Sequence, residues 1–172
     1  MFYELLKTRR SIRKYQDIPL EREKLDTILK AALLSPSSRS IRPWEFVTVT
    51  DKALLDKLSQ FKSSAGFIKD AAAAVVVIGE PVASDAWIED ASIASIFIQL
   101  AAHALGIGSC WIQVRGRPHS ESITAEDYIK ELLGIPGECA VEAVISLGYP
   151  AEEKKAYDDG DLLYDKLHYE TY

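Results

Sequence analysis

Arg9-Arg10-Ser11-Ile12-Arg13-Lys14-Tyr15 is the stretch on which the fold turns, and Pro36-Ser37-Ser38 and Arg42-Pro43-Trp44 are the segments to set beside it. Three guanidiniums and a hydroxyl between Arg9 and Arg13 can hold a phosphate. The guanidinium is a permanently charged planar fork of donors that matches phosphate oxygens. Residues 2–8 read as a short helix with Phe2, Leu5 and Leu6 on one side. Basic residues just past a helix also complement its dipole, or are simply solvated. The order of the residues favours the phosphate. Alternate residues of an extended chain share a face, so Ser11 and Arg13 point the same way, with Arg9 or Arg10 at the neck of the helix. The second segment, a polar loop ending in a large aromatic, can hold the rest of a ligand.

The 172 residues, 48% of them hydrophobic, suffice for one domain with a full core. Met1-Phe2-Tyr3-Glu4 carries no secretory pattern. The longest apolar run, residues 71–78, falls far short of the ~20 residues that cross a bilayer. A cytoplasmic protein with no membrane partner is expected. The net charge of −6 argues against nucleic acid as a partner, since that would need a basic face. Against this acidic background the four cations between Arg9 and Lys14 form a local site for a small anion. Cys110 and Cys139 lack CxxC spacing and nearby histidines, so they read as reduced core thiols. His103, His119 and His168 are scattered, and no metal site is expected.

Leu25, Ile28, Leu29 and Ala32 fall at helical spacing and predict a helix over 21–34. Strands are expected at 45–50, 72–79, 110–114 and 139–147, the second buried on both faces. Asp51 and Thr124 are candidate caps for helices that begin after them, the latter covering 125–133. The longest helix, 87–105, alternates Ala and Ser with Ile93, Ile96, Phe97, Ile98 and Leu100, and Gly106 ends it. So apolar a helix either forms the centre of the core or packs on its copy in a second subunit. The order predicts an α+β fold on a small sheet. The tail, residues 152–172, is too aromatic for disorder yet has no core of its own, and a partner subunit is the natural surface for it. Gly106-Ile107-Gly108 follows a helix rather than a strand, so it is no dinucleotide fingerprint. No phosphate-binding loop of NTPases and no nucleophile elbow is present. The absence of an acid–base machine suits a protein whose cofactor carries the hard step.

These segments, with Ala31-Ala32, Trp44-Glu45-Phe46, residues 106–112 and Leu147-Gly148-Tyr149-Pro150, resemble the nitroreductase family of flavin enzymes over nearly the whole chain. The resemblance implies a single FMN-binding domain, residues 1–172. It implies a central mixed sheet of four to five strands around a long buried helix, in an intertwined homodimer whose tails, residues 152–172, wrap the partner. It implies FMN at the subunit interface, reduced by NADH or NADPH, with hydride passing through flavin N5 to a small acceptor such as a nitroaromatic or quinone. No catalytic side chain is then required. Carried over by position, Arg9 pairs with the FMN phosphate and Ser11 with phosphate or ribityl oxygens. Arg10 anchors the same segment, and Arg13 lies at the pyrimidine edge. Pro36, Ser37 and Ser38 line the ring from the partner subunit. A backbone N–H of Gln113, Val114, Arg115 or Gly116 faces N5. Lys154 or Lys155 reaches the phosphate. Relatives often carry Asn and Gln where this chain has Ser40 and Arg42. Ser40 offers only a short hydroxyl, and Arg42 either donates to flavin oxygens or pairs with a surface acid. Trp44 is expected to pack beneath the loop. The rival readings are a non-catalytic FMN carrier, a dehalogenating or flavin-cleaving relative, and a small-anion regulatory module.

Overall fold

Alternation along one strand sets the layering. In β2 (Ala73–Gly79) the side chains of Ala74, Val76 and Ile78 join one apolar cluster and those of Ala73, Val75 and Val77 another, and all are buried. A strand buried on both faces must be covered on both sides. The computed structural model, which describes residues 2–172, does this with α2 (Arg22–Leu33) and α4 (Trp87–Ala104) on one face. On the other face lie α3 (Lys52–Leu58), α5 (Ala125–Leu133) and a 3-10 stretch, Ser63–Asp70. The remaining strands are β1 (Trp44–Val49), β3 (Gly108–Gln113) and β4 (Ala140–Gly148), and α1 (Phe2–Thr8) opens the chain.

The sheet runs β1-β2-β4-β3 with every pairing antiparallel. The expected mixed sheet is therefore corrected: every ladder between named strands is antiparallel, and the parallel component is one bridge, Ser11 to Ser109. The expected caps form, Asp51 accepting from Leu54 N–H at 2.8 Å and Thr124 from Asp127 N–H at 3.0 Å. Gly106, at φ 75°, ends α4 in the left-handed conformation that glycine adopts without strain. Ser63–Asp70 was not foreseen, because its single short turns carry no helical period.

The long helix is buried on one face only within the single chain. One face of α4 is sealed by Ala91, Ala94, Ile98 and Ala102. Ile93, Phe97 and Leu100 are only half-buried and Ile96 is 37% exposed. Tail residues Leu163, Tyr164, Leu167 and Tyr169 are also exposed in the single chain. No helix among the described residues is long and apolar enough to cross a membrane.

The basic hook, residues 9–15, is laced to the end of the sheet where β3 starts and β4 finishes. Ile12 N–H donates to Ser109 carbonyl at 2.9 Å and Gln16 N–H to Tyr149 carbonyl at 2.8 Å. The Tyr15 hydroxyl donates to Ile12 carbonyl at 2.7 Å and lies 2.7 Å from Ser146 Oγ. Gly148 is bare because Tyr15 occupies its face: a Cβ there would stand 2.8 Å from the tyrosine Cδ1 and 3.2 Å from the backbone nitrogen of Ala72. Gly148→Ala is accordingly expected to cost about 1–3 kcal/mol through forced displacement of ring or backbone, read as a lower urea midpoint of unfolding.

Candidate functional site

Ile12 decides which way the hook faces. It is buried against Gly108, where a Cβ would meet the isoleucine side chain at 2.9 Å. With Ile12 turned inward, alternation turns Ser11 and Arg13 outward together, as the sequence predicts. The convergence is visible at Cys110. Burial pushes its thiol pKa up, while the charge of Arg13, a hydrogen bond with Ser11 and the charge of Arg9 pull it back. Arg9, Ser11 and Arg13 each act on the Cys110 thiol, and Ser11 is bridged to Ser109 beside it. Among the described residues neither Arg9 nor Arg13 has a carboxylate within ion-pair distance. Arg13 instead lies 6.0 Å from the centre of the Phe67 ring. Two unpaired guanidiniums and a hydroxyl on one face form a donor set for an anionic group, and FMN phosphate fits it.

Arg10 faces the other way. Its guanidinium donates to the Lys155 carbonyl and lies 4.4 Å from the centre of the Tyr157 ring. It therefore clamps the tail and does not join the Arg9 and Arg13 face. The lysines expected at the phosphate are paired with acids: Lys154 with Glu152 at 2.9 Å and Lys155 with Asp158 at 2.9 Å. Glu152 also accepts from Arg13 N–H at 2.7 Å, and that bond, with Lys154, holds its carboxyl below the usual range.

The loop after β3 is pinned from beneath. Val114 and Arg115 both donate their N–H groups to the Glu142 carbonyl, at 3.1 and 3.2 Å. The Glu142 carboxylate, 3% exposed, accepts from Arg115 Nε at 2.8 Å and from Gln113 Nε2 at 3.3 Å. Gly116, at φ 68°, completes the turn. Its N–H has no backbone acceptor among the turns and loops of the described residues, and the Gln113 N–H faces the free edge of β3, away from β4. Lys62 Nζ donates to Gln113 carbonyl at 3.0 Å from the opposite side.

The third segment is not brought to the hook. Ser38 N–H donates to buried Asp90 at the start of α4, at 2.8 Å, and Arg42 N–H to Ser37 Oγ at 2.8 Å. Arg39, Ser40 and Arg42 all take positive φ (52°, 55° and 57°), a strain that functional loops commonly carry. Pro36, Ser40 and Arg42 are exposed, and the Arg42 guanidinium has no acid partner among the described residues. This loop leads into the start of β1, the edge strand opposite β3, and Trp44 pairs with Gly79 at the far end of the sheet. The hook joins Ser109, at the near end of β3. Within one chain the two segments occupy diagonally opposite corners, about 14 Å apart across three strand spacings and about 17 Å along the strands. Trp44 is buried against Phe46, ring centres 5.3 Å apart, as a packing residue.

The family model for the nitroreductase family matches residues 6–87 and 62–149. The chain belongs to the nitroreductase family. A relative from Archaeoglobus fulgidus, with the provisional name NADH dehydrogenase/NAD(P)H nitroreductase, is 41% identical over 98% of this chain and 97% of its own. The solved structure of an FMN-dependent nitroreductase from Clostridium difficile is similar at TM-score 0.97 and 53% identity, covering 99% of both chains. An NADPH:FMN oxidoreductase from Vibrio harveyi, solved with NAD+, is similar at TM-score 0.84 and 25% identity, over 99% of this chain and 77% of that one.

Within this nitroreductase fold, Glu142, Lys62 and Asp90 are the residues that sequence reasoning passed over. Glu142 had a signal: it is an acid in the middle of an otherwise apolar strand, and a buried charge is rarely unpaired. Lys62 and Asp90 had none, because their partners are remote in sequence. Glu142→Gln should leave the fold intact but cost about 1–3 kcal/mol, the range for a weakened charged hydrogen bond. Faster amide exchange in residues 113–116 should accompany the lower denaturation midpoint.

Proposed function

We propose that the chain binds FMN with its phosphate on Arg9 and Ser11, its pyrimidine edge toward Arg13 and its N5 edge toward the loop 113–116. The protein is an FMN-dependent NAD(P)H oxidoreductase. The observation that carries the placement is the hook itself: Ile12 buried, Ser11 bridged to Ser109, and neither Arg9 nor Arg13 paired with an acid among the described residues. Bound there, FMN supplies hydride chemistry, taking two electrons from NADH or NADPH and passing them to a small acceptor such as a nitroaromatic or quinone. Arg13 favours negative charge gathered at the pyrimidine edge. Gly116 N–H is free to donate at the ring, while Glu142 keeps the loop rigid. No side chain acts as nucleophile; positioning of donor and acceptor against the ring is the protein's contribution.

The site is completed by a second copy. The diagonal separation of hook and loop means that Pro36, Ser37, Ser38, Ser40 and Arg42 reach the ring from the partner subunit. The open face of α4 and the exposed aromatic tail, residues 152–172, are the apolar surfaces that such a dimer covers. Arg10 takes part by holding the tail against the hook, and the protein works in the cytoplasm.

The deciding measurement is an absorbance spectrum of the purified protein during anaerobic titration with NADH and NADPH. A yellow dimer bleached by either dinucleotide is expected. A yellow protein left unbleached would be a flavin carrier, and a colourless one that ignores added FMN would remove the cofactor altogether. Arg9→Ala should weaken FMN binding by about 1.5–3 kcal/mol, the range for a charged hydrogen bond, while gel filtration still shows a dimer. Full flavin occupancy in that variant would take the phosphate role from Arg9.

A further inference from the structure

Beside the loop 113–116 lies a second basic cavity of about 500 Å³, lined by Lys62, Ser63, Ser64, Gln113, Arg117 and His119. Its charges are unbalanced. No carboxylate lines it, and among the described residues neither Lys62 nor Arg117 has an acid within ion-pair distance. Burial and then the like charge of Arg117 push the Lys62 ammonium below the usual lysine range. Lys62 is held by its head group and Arg117 by its backbone. Lys62 Nζ is fixed on Gln113 carbonyl at 3.0 Å. Arg117 N–H closes the turn onto Val114 carbonyl at 3.0 Å. His119 stacks on Tyr128 at 4.3 Å between ring centres, with Nδ1 3.1 Å from Phe61 carbonyl. Two hydroxyls, from Ser63 and Ser64, complete a donor-rich wall.

We propose that Lys62, Arg117 and His119 form an anion-receiving pocket for the molecule that exchanges hydride at the ring, so that this site selects reactants carrying a phosphate or carboxylate. Cations facing one another without an acid are stabilised by an incoming anion, and a pocket hydrogen-bonded to the 113–116 loop lies beside whatever reacts there. The inference rests on the flavin reading of that loop. The anion has two sources, the phosphates of the dinucleotide or a carboxylate on the acceptor, and both present the same oxygens.

The test is calorimetric titration of FMN-loaded wild-type protein, Arg117→Gln and Arg117→Lys with benzoate, its neutral counterpart benzamide, NADP+ and NAD+. Wild-type protein should prefer benzoate over benzamide, or NADP+ over NAD+. Arg117→Gln should lower that preference about tenfold, the scale of one charge-assisted hydrogen bond, and Arg117→Lys should retain most of it. Loss on the benzoate arm assigns the pocket to an acceptor carboxylate, and loss on the NADP+ arm to the dinucleotide phosphate. If wild-type protein shows neither preference, or Arg117→Gln leaves both unchanged, the pocket has no such role. Flavin content and bleaching by NADH are read on the same samples, so failure of the flavin reading is seen separately.

Discussion

The hydrogen bond from Ile12 to the Ser109 carbonyl, with the isoleucine side chain seated on Gly108, is the constraint on which the rest of the structure depends. It fixes an otherwise irregular segment to the start of an edge strand. Once Ile12 is inward, Ser11 and Arg13 can only be outward, and the basic face exists before any ligand arrives. Tyr15 makes the same segment cross the end of the sheet, bonded to Ile12 and beside Ser146. Burial pushes its hydroxyl pKa well above the tyrosine range, so it stays a neutral donor at any ordinary pH. Placement of charge at the site is thus a product of packing at two glycines, Gly108 and Gly148.

Much of this was legible in the sequence. Alternation marked β1 and a continuous apolar run marked β2, and the caps at Asp51 and Thr124 follow from local hydrogen bonding that needs no tertiary information. The outward pairing of Ser11 and Arg13 followed from extended geometry alone. Legibility ended where a side chain answers to a distant partner. Arg10 reads as an anchor of the segment, but composition cannot show that Lys155 and Tyr157 come back to meet it. Lys155 looked free because its acid, Asp158, lies in the same tail whose path was unknown. The second face of α4 stays open between two readings for a related reason: an apolar helix reads the same whether that face meets its own chain or another.

The layering of the sheet also bears on the proposed dimer. Two central strands consume the interior, leaving α2 and α4 on one face and α3 and α5 on the other, with no further layer to cover them. Hook and loop sit at opposite corners, so on the proposed reading each chain offers two half-sites and no whole one. A two-fold partner placed with corners overlapping makes two whole sites from four halves, the arithmetic of an isologous dimer.

Arg10 carries a consequence of its own. It belongs to the same short segment as Arg9 and Ser11 but grips the returning tail through Lys155 and Tyr157. Anything that stiffens one side of that ribbon stiffens the other. On the proposed placement of FMN, the phosphate cradle and the tail clasp are two sides of one ribbon, and by reciprocity whatever one does to the other is returned in equal measure. In the proposed dimer, subunit embrace and coenzyme retention then become two readouts of a single equilibrium.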